Sequence, residues 1–140
     1  AIEQKTSARL RILVIDDDPI LLRSLRNALE VDGHYIVTAD SGETGITTFC
    51  AMHERKEPFD VVITDLGMPY MDGRQIASMV KQVSSTPVIL LTGWGQRLIA
   101  EGDIPLHVDM VLAKPPRLVE LRQALAQLFP DATPDPDEGR

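Results

Sequence analysis

Four short, nearly continuous apolar runs constrain this chain more than anything else in it: RILVI (11–15), FDVVIT (59–64), PVILL (87–91) and VDMVLA (108–113). Runs rich in Val, Ile and Leu without polar alternation suit strands covered on both faces, as in a parallel sheet. A weaker run, YIVTA (35–39), adds a fifth strand, expected at an edge. The segments between the runs carry helical spacing instead. Strands alternating with helices predict a doubly wound α/β fold, a three-layer sandwich around a five-stranded parallel sheet.

The helix signals are local and specific. Asp18 followed by Pro19 reads as a cap and first position, after which Leu21, Leu25, Ala28 and Leu29 share a face and Gly33 can end the helix. Ile46, Phe49, Cys50 and His53 repeat at the spacing of a second helix. Ile76, Ala77, Val80 and Val83 do so after Asp72-Gly73, and Leu118, Leu121, Leu125 and Leu128 after Pro115-Pro116. The stretch 93–107 holds three Gly and a Pro, so the weakest helix is expected there.

Composition bounds what such a fold can be for. The 140 residues make one domain. A net charge of −7, from 21 acids against 14 Lys and Arg, lacks the basic stripe of a nucleic-acid-binding surface. No apolar run approaches the ~20 residues of a membrane span. The single cysteine, Cys50, has no partner for an internal disulfide, which points to a reducing compartment and a cytoplasmic location. Residues 1–9 are polar and read as a leader or linker, 10–130 as the folded domain, and 131–140 as a disordered acidic tail. A start at Ala1 suits a piece of a longer protein. His34, His53 and His107 are scattered and expected at the surface or on helix faces.

In open α/β sheets, ligands bind beyond the carboxyl ends of the strands. The residues there form a chemical set. The first run ends in Asp16-Asp17-Asp18, the third strand in Asp65, the fourth in Thr92 and the fifth in Lys114. Carboxylates brought close together repel, and a bound divalent cation removes the conflict. All-oxygen ligands favour Mg²⁺, which shares its coordination with phosphoryl groups. Beside it, Asp65 can stay ionised and attack phosphorus as a nucleophile. Lys114 and the hydroxyl of Thr92 are suitable stabilisers of the transferring oxygens.

Four pieces, ILVIDDDP, VVITDLGMPYMDG, VILLTG and VLAKPP, stand in the order of a response-regulator receiver domain, the phosphoacceptor module of two-component signalling, and the chain resembles that family over roughly residues 10–130. The resemblance implies the flavodoxin-like strand order 2-1-3-4-5. It implies Asp65 as phosphoacceptor, Asp17 as a direct Mg²⁺ ligand, Asp16 acting through water, and the backbone carbonyl of Gly67 as a further ligand. Thr92 takes the place of the switch hydroxyl and Lys114 that of the phosphoryl-contacting lysine, with a cis Lys114–Pro115 bond. The implied partner is a histidine kinase or histidine phosphotransfer protein, and a homodimer through the fourth or fifth helix is a further expectation. The resemblance also fits the receiver of a hybrid sensor kinase, and no external substrate turnover is expected. Val111 stands where relatives often carry an aromatic switch, and Pro116 where they often carry Phe. Trp94, two residues after Thr92, is expected to cover part of the phosphoryl group.

Two other functions fit parts of the pattern. A Mg²⁺-dependent phosphohydrolase of the haloacid-dehalogenase type would use VIDDDP with Asp16 as nucleophile. It lacks a Thr at position 20, which is Ile20, and an acidic pair suitably placed after Lys114. A receiver-like module used only for binding, independent of phosphorylation, is the other.

Overall fold

The computed structural model describes residues 8–93 and 105–130. Strand and helix alternate through β1 (Arg11–Ile15), α1 (Pro19–Val31), β2 (Tyr35–Ala39), α2 (Gly42–Glu54), β3 (Val61–Asp65), α3 (Gly73–Val83), β4 (Val88–Thr92), β5 (Met110–Ala113) and α4 (Leu118–Leu128). All four strand pairings are parallel, and the order is β2-β1-β3-β4-β5. The expected doubly wound sandwich and its strand order are both present.

The apolar runs are continuous because the sheet has no wet face. Ile12, Val14, Ile63, Ile89 and Leu91 point to one side, where Leu22, Leu25 and Leu29 of α1 meet Leu121 and Leu125 of α4. Leu13, Ile15 and Val62 point to the other, against Phe49 of α2 and Ile76, Ala77 and Val80 of α3. Alternate residues of one strand therefore fill two cores, each such side chain contributing roughly 1.5–3 kcal/mol on burial. Val83, expected on the apolar face of α3, ends 38% exposed because the helix stops there.

Helix starts follow the capping chemistry. Asp18 accepts from the backbone N–H groups of Ile20 and Leu21, with Pro19 in the first turn. Asp72 and Gln75 close a reciprocal capping box on α3. A side chain at Gly73 would put its Cβ 2.6 Å from the Asp65 carbonyl oxygen, so only glycine lets α3 start this close to the end of β3. The Lys114–Pro115 bond is cis.

The core histidine differs from expectation. His34 is buried, and its Nδ1 accepts from the Leu10 N–H at 3.1 Å, joining the starts of β1 and β2. His53 and His107 are exposed. Cys50 is half-buried against the α2–α3 core. Residues 1–7, the acidic stretch 131–140 and the segment 94–104, where the weakest helix was expected, lie outside the described residues.

Candidate functional site

Register brings the polar residues together. Ile15 pairs with Thr64, so Asp16 and Asp65 follow side by side at the ends of adjacent strands. Asp65 pairs with Leu91, and Thr92 with Ala113, which sets Thr92 and Lys114 one step further along the same rim. Four strands that individually need only to be apolar thus deliver two carboxylates, a hydroxyl and an ammonium to one edge.

The side chains meet there. Lys114 Nζ lies 3.1 Å from Asp65 Oδ2 and 3.0 Å from Asp16 Oδ2. It donates a hydrogen bond to Asp16 Oδ1 at 3.3 Å, which also accepts from the Asp18 N–H at 2.8 Å. The Asp16 Oδ2 contact is close in distance but poorly aligned, so that buried oxygen has no hydrogen-bond donor of its own. Asp16 is fully buried, Asp65 is 6% exposed and Thr92 is 2% exposed, whereas Asp17 is exposed. Gly67 donates its N–H to Asp65 Oδ1 at 3.4 Å and has open space around its Cα.

One carboxylate oxygen from each of Asp16, Asp17 and Asp65 lies within 4.8 Å of the other two. Three negative charges against the one positive charge of Lys114 leave an excess of two, the charge of one divalent cation. Asp16 Oδ2, a buried oxygen with no hydrogen-bond donor, has lone pairs to offer a cation. The donor set, all oxygen and partly open to water, fits Mg²⁺.

Electrostatics agree with that reading. Burial raises the Asp16 carboxyl above its ordinary value, against the lowering by the Asp18 N–H and Lys114, and the charge of Asp65 pushes it further up. Burial alone would lower the Lys114 ammonium. Its hydrogen bonds and charge attraction to Asp16 and Asp65 together outweigh that, and its net shift is upward, so it stays charged. The site is a charged cluster short of cation.

Asp16, Asp17, Asp65, Gly67, Thr92 and Lys114 all lie at this rim, and Asp18 caps α1 as expected. Val111 is buried with Leu90 in a small cluster flanked by Leu66 and Val108, with no aromatic to rotate. Trp94 lies outside the described residues. One rim residue escaped the sequence reading: Tyr70, 97% exposed at a positive φ of 68°. Its signal was the PYMDG turn, in which an aromatic occupies a place suited to glycine.

Comparison with known proteins places the chain. A family profile described as the response regulator receiver domain matches residues 12–126. The chain is 35% identical over 128 residues to the transcriptional regulatory protein GlrR of Escherichia coli, covering 91% of this chain and 28% of that protein. It is 34% identical over 113 residues to the two-component response regulator ORR24 of rice, covering 81% of the chain and 18% of that protein. The chain thus spans less than a third of the length of these relatives. Among solved structures, the receiver domain protein from Clostridium thermocellum is similar at a TM-score of 0.71 and 30% identity, over 86% of this chain and 94% of that one. The response regulator TrrA of Thermotoga maritima, solved in complex with Mg²⁺ and BeF, matches at 0.73 and 28%, over 86% and 99%.

Proposed function

Because the chain belongs to the response regulator receiver domain family of two-component signalling, we propose that it accepts a phosphoryl group on Asp65 from the phosphohistidine of a histidine kinase or histidine phosphotransfer protein, in the cytoplasm. The observation that carries this is the convergence of Asp65 and Asp16 on the Lys114 ammonium, at 3.1 and 3.0 Å.

Asp65 supplies the nucleophile. Its carboxylate oxygen forms a bond to phosphorus as the donor's P–N bond breaks, and the imidazole nitrogen leaves with the bonding pair. Lys114 stands 3.1 Å from Asp65, placed to neutralise charge on the transferred oxygens. The Thr92 hydroxyl, one residue beyond the partner of Asp65, donates to another of them. Asp16, Asp17, Asp65 and the Gly67 carbonyl would hold Mg²⁺, which supplies neutralisation of phosphoryl charge. Hydrolysis of the aspartyl phosphate later resets the domain, which turns over no external substrate. New hydrogen bonds from Thr92 and Lys114 to the phosphoryl group shift the balance between two conformations. With Val111 in place of an aromatic, that shift proceeds without a rotating ring.

The test is direct. Incubation with phosphoramidate and Mg²⁺ adds one phosphoryl group by intact mass, and chelation of the metal or Asp65→Asn prevents it. A label that persists in Asp65→Asn, or one that maps to Asp16, overturns the assignment.

A further inference from the structure

Tyr70 has no role in the fold that accounts for it. The Met71 N–H donates to the Pro69 carbonyl at 2.7 Å, closing a three-residue turn centred on Tyr70 at φ 68°. Turns of this hand are rare and strained, and a bulky side chain fits them poorly. Glycine would adopt the same backbone freely. The ring gains nothing in exchange from packing, since Tyr70 is 97% exposed.

The backbone around it is fixed nonetheless. On one side stands Pro69. On the other, Met71 lies so close to α2 that a Cβ on Gly42 would fall 2.8 Å from the Met71 carbonyl oxygen and 2.9 Å from its Cβ. Asp72 then caps α3. The turn thus holds an aromatic ring outward on a rigid mount, and strained residues persist chiefly where function uses them.

Its neighbourhood says what the ring meets. Tyr70 follows β3, and Ile20, 73% exposed, begins α1 after the adjacent β1. Two apolar side chains therefore stand on the rim that holds Asp16 and Asp65. Asp65 is only 6% exposed, so a phosphohistidine reaches it only when the surface bearing that histidine settles on the rim. We propose that Tyr70 is a recognition residue for the phosphodonor protein, its ring packing beside the phosphohistidine while Asp65 attacks. This rests on the function proposed above. Tyrosine is well suited, since it offers a large contact area with few torsions to freeze.

Two donors separate the possibilities. Phosphoramidate carries the same P–N bond but touches no rim. A phosphorylated histidine phosphotransfer domain that labels the wild-type chain carries a full surface. Tyr70→Gly removes the ring and suits the turn, while Tyr70→Phe keeps the ring. The expected result is a loss on the order of tenfold in kcat/KM from the protein donor for Tyr70→Gly, mainly through KM. Tyr70→Phe restores it, and phosphoramidate labelling stays at the wild-type rate for both. Equal losses with both donors would show that the turn serves the acidic site itself, and no loss with either would show that the ring is idle; both overturn the proposal. A wild-type chain that neither donor labels overturns the function of Asp65 instead, a separate failure.

Discussion

The two edges of the sheet treat charge in opposite ways. At the amino edge three acids of the described residues are matched, two of them exposed. Asp109 Oδ2 accepts from the Val88 N–H at 2.8 Å and from Lys81 at 2.9 Å. Asp60 accepts from the Arg11 N–H at 2.8 Å. Asp32, at the end of α1, takes a two-pronged bond from Arg122 at 2.8 and 3.0 Å. At the carboxyl edge three acids cluster, two of them share one lysine, and a fully buried oxygen goes without a hydrogen-bond donor. The amino edge uses charge to join elements. The carboxyl edge leaves charge unbalanced, which lowers stability and prepares a place for a cation and a phosphoryl group.

The comparison predicts that substitutions at the two edges separate activity from stability. The largest effect belongs to Lys114→Ala. It removes the one ammonium that the described residues place at the rim, and Mg²⁺-dependent labelling by phosphoramidate should fall about 100-fold, as for loss of one charge-stabilising donor. A variant that labels at the wild-type rate would remove Lys114 from the chemistry.

Next comes Asp32→Ala at the matched edge. Asp32 is 3% exposed and Arg122 17%, so truncation removes a two-pronged bond from a largely buried guanidinium, at a cost of about 3 kcal/mol. Denaturant unfolding should show that loss while labelling of the folded protein stays unchanged. A smaller cost follows for Asp109→Ala, about 1–2 kcal/mol, because the Val88 N–H loses its acceptor while Lys81 keeps the Thr86 carbonyl at 2.9 Å. If either variant lost labelling in proportion to stability, the division between the edges would fail.

These pairs also mark what a linear reading can and cannot reach. The strands were legible because two-sided burial leaves unbroken apolar runs, and the rim residues because each follows such a run directly. Strand starts were read two residues early at 59 and 108. Phe59 and Val108 pack against the core without joining the ladder, and Asp60 and Asp109 bind the neighbouring strand through their side chains as well as their backbone N–H groups. The Asp32–Arg122 bond joins residues 90 apart and has no short-range pattern. Tyr70 was missed for another reason: a positive φ is a property of the closed turn, and nothing in the residue itself calls for one.

The smallest effect is the sharpest test, because its sign inverts. Asp16→Asn keeps shape and removes a charge that burial disfavours. The Asp16 carboxyl is raised above its ordinary 3.8, so the folded state binds this proton more tightly than the unfolded chain. Its contribution is therefore fully present below about 3.8 and is lost as pH rises through the folded value. With metal chelated, Asp16→Asn should melt a few degrees above wild type at neutral pH, and the gap should close as pH falls toward 3.8. Millimolar Mg²⁺ should reverse the order, since wild type gains binding energy that the variant, short of a carboxylate, cannot. A variant less stable than wild type in chelator at neutral pH would mean that Lys114 already satisfies Asp16. The carboxyl edge would then be as well matched as the amino edge, and its charge excess would no longer explain why a cation belongs there.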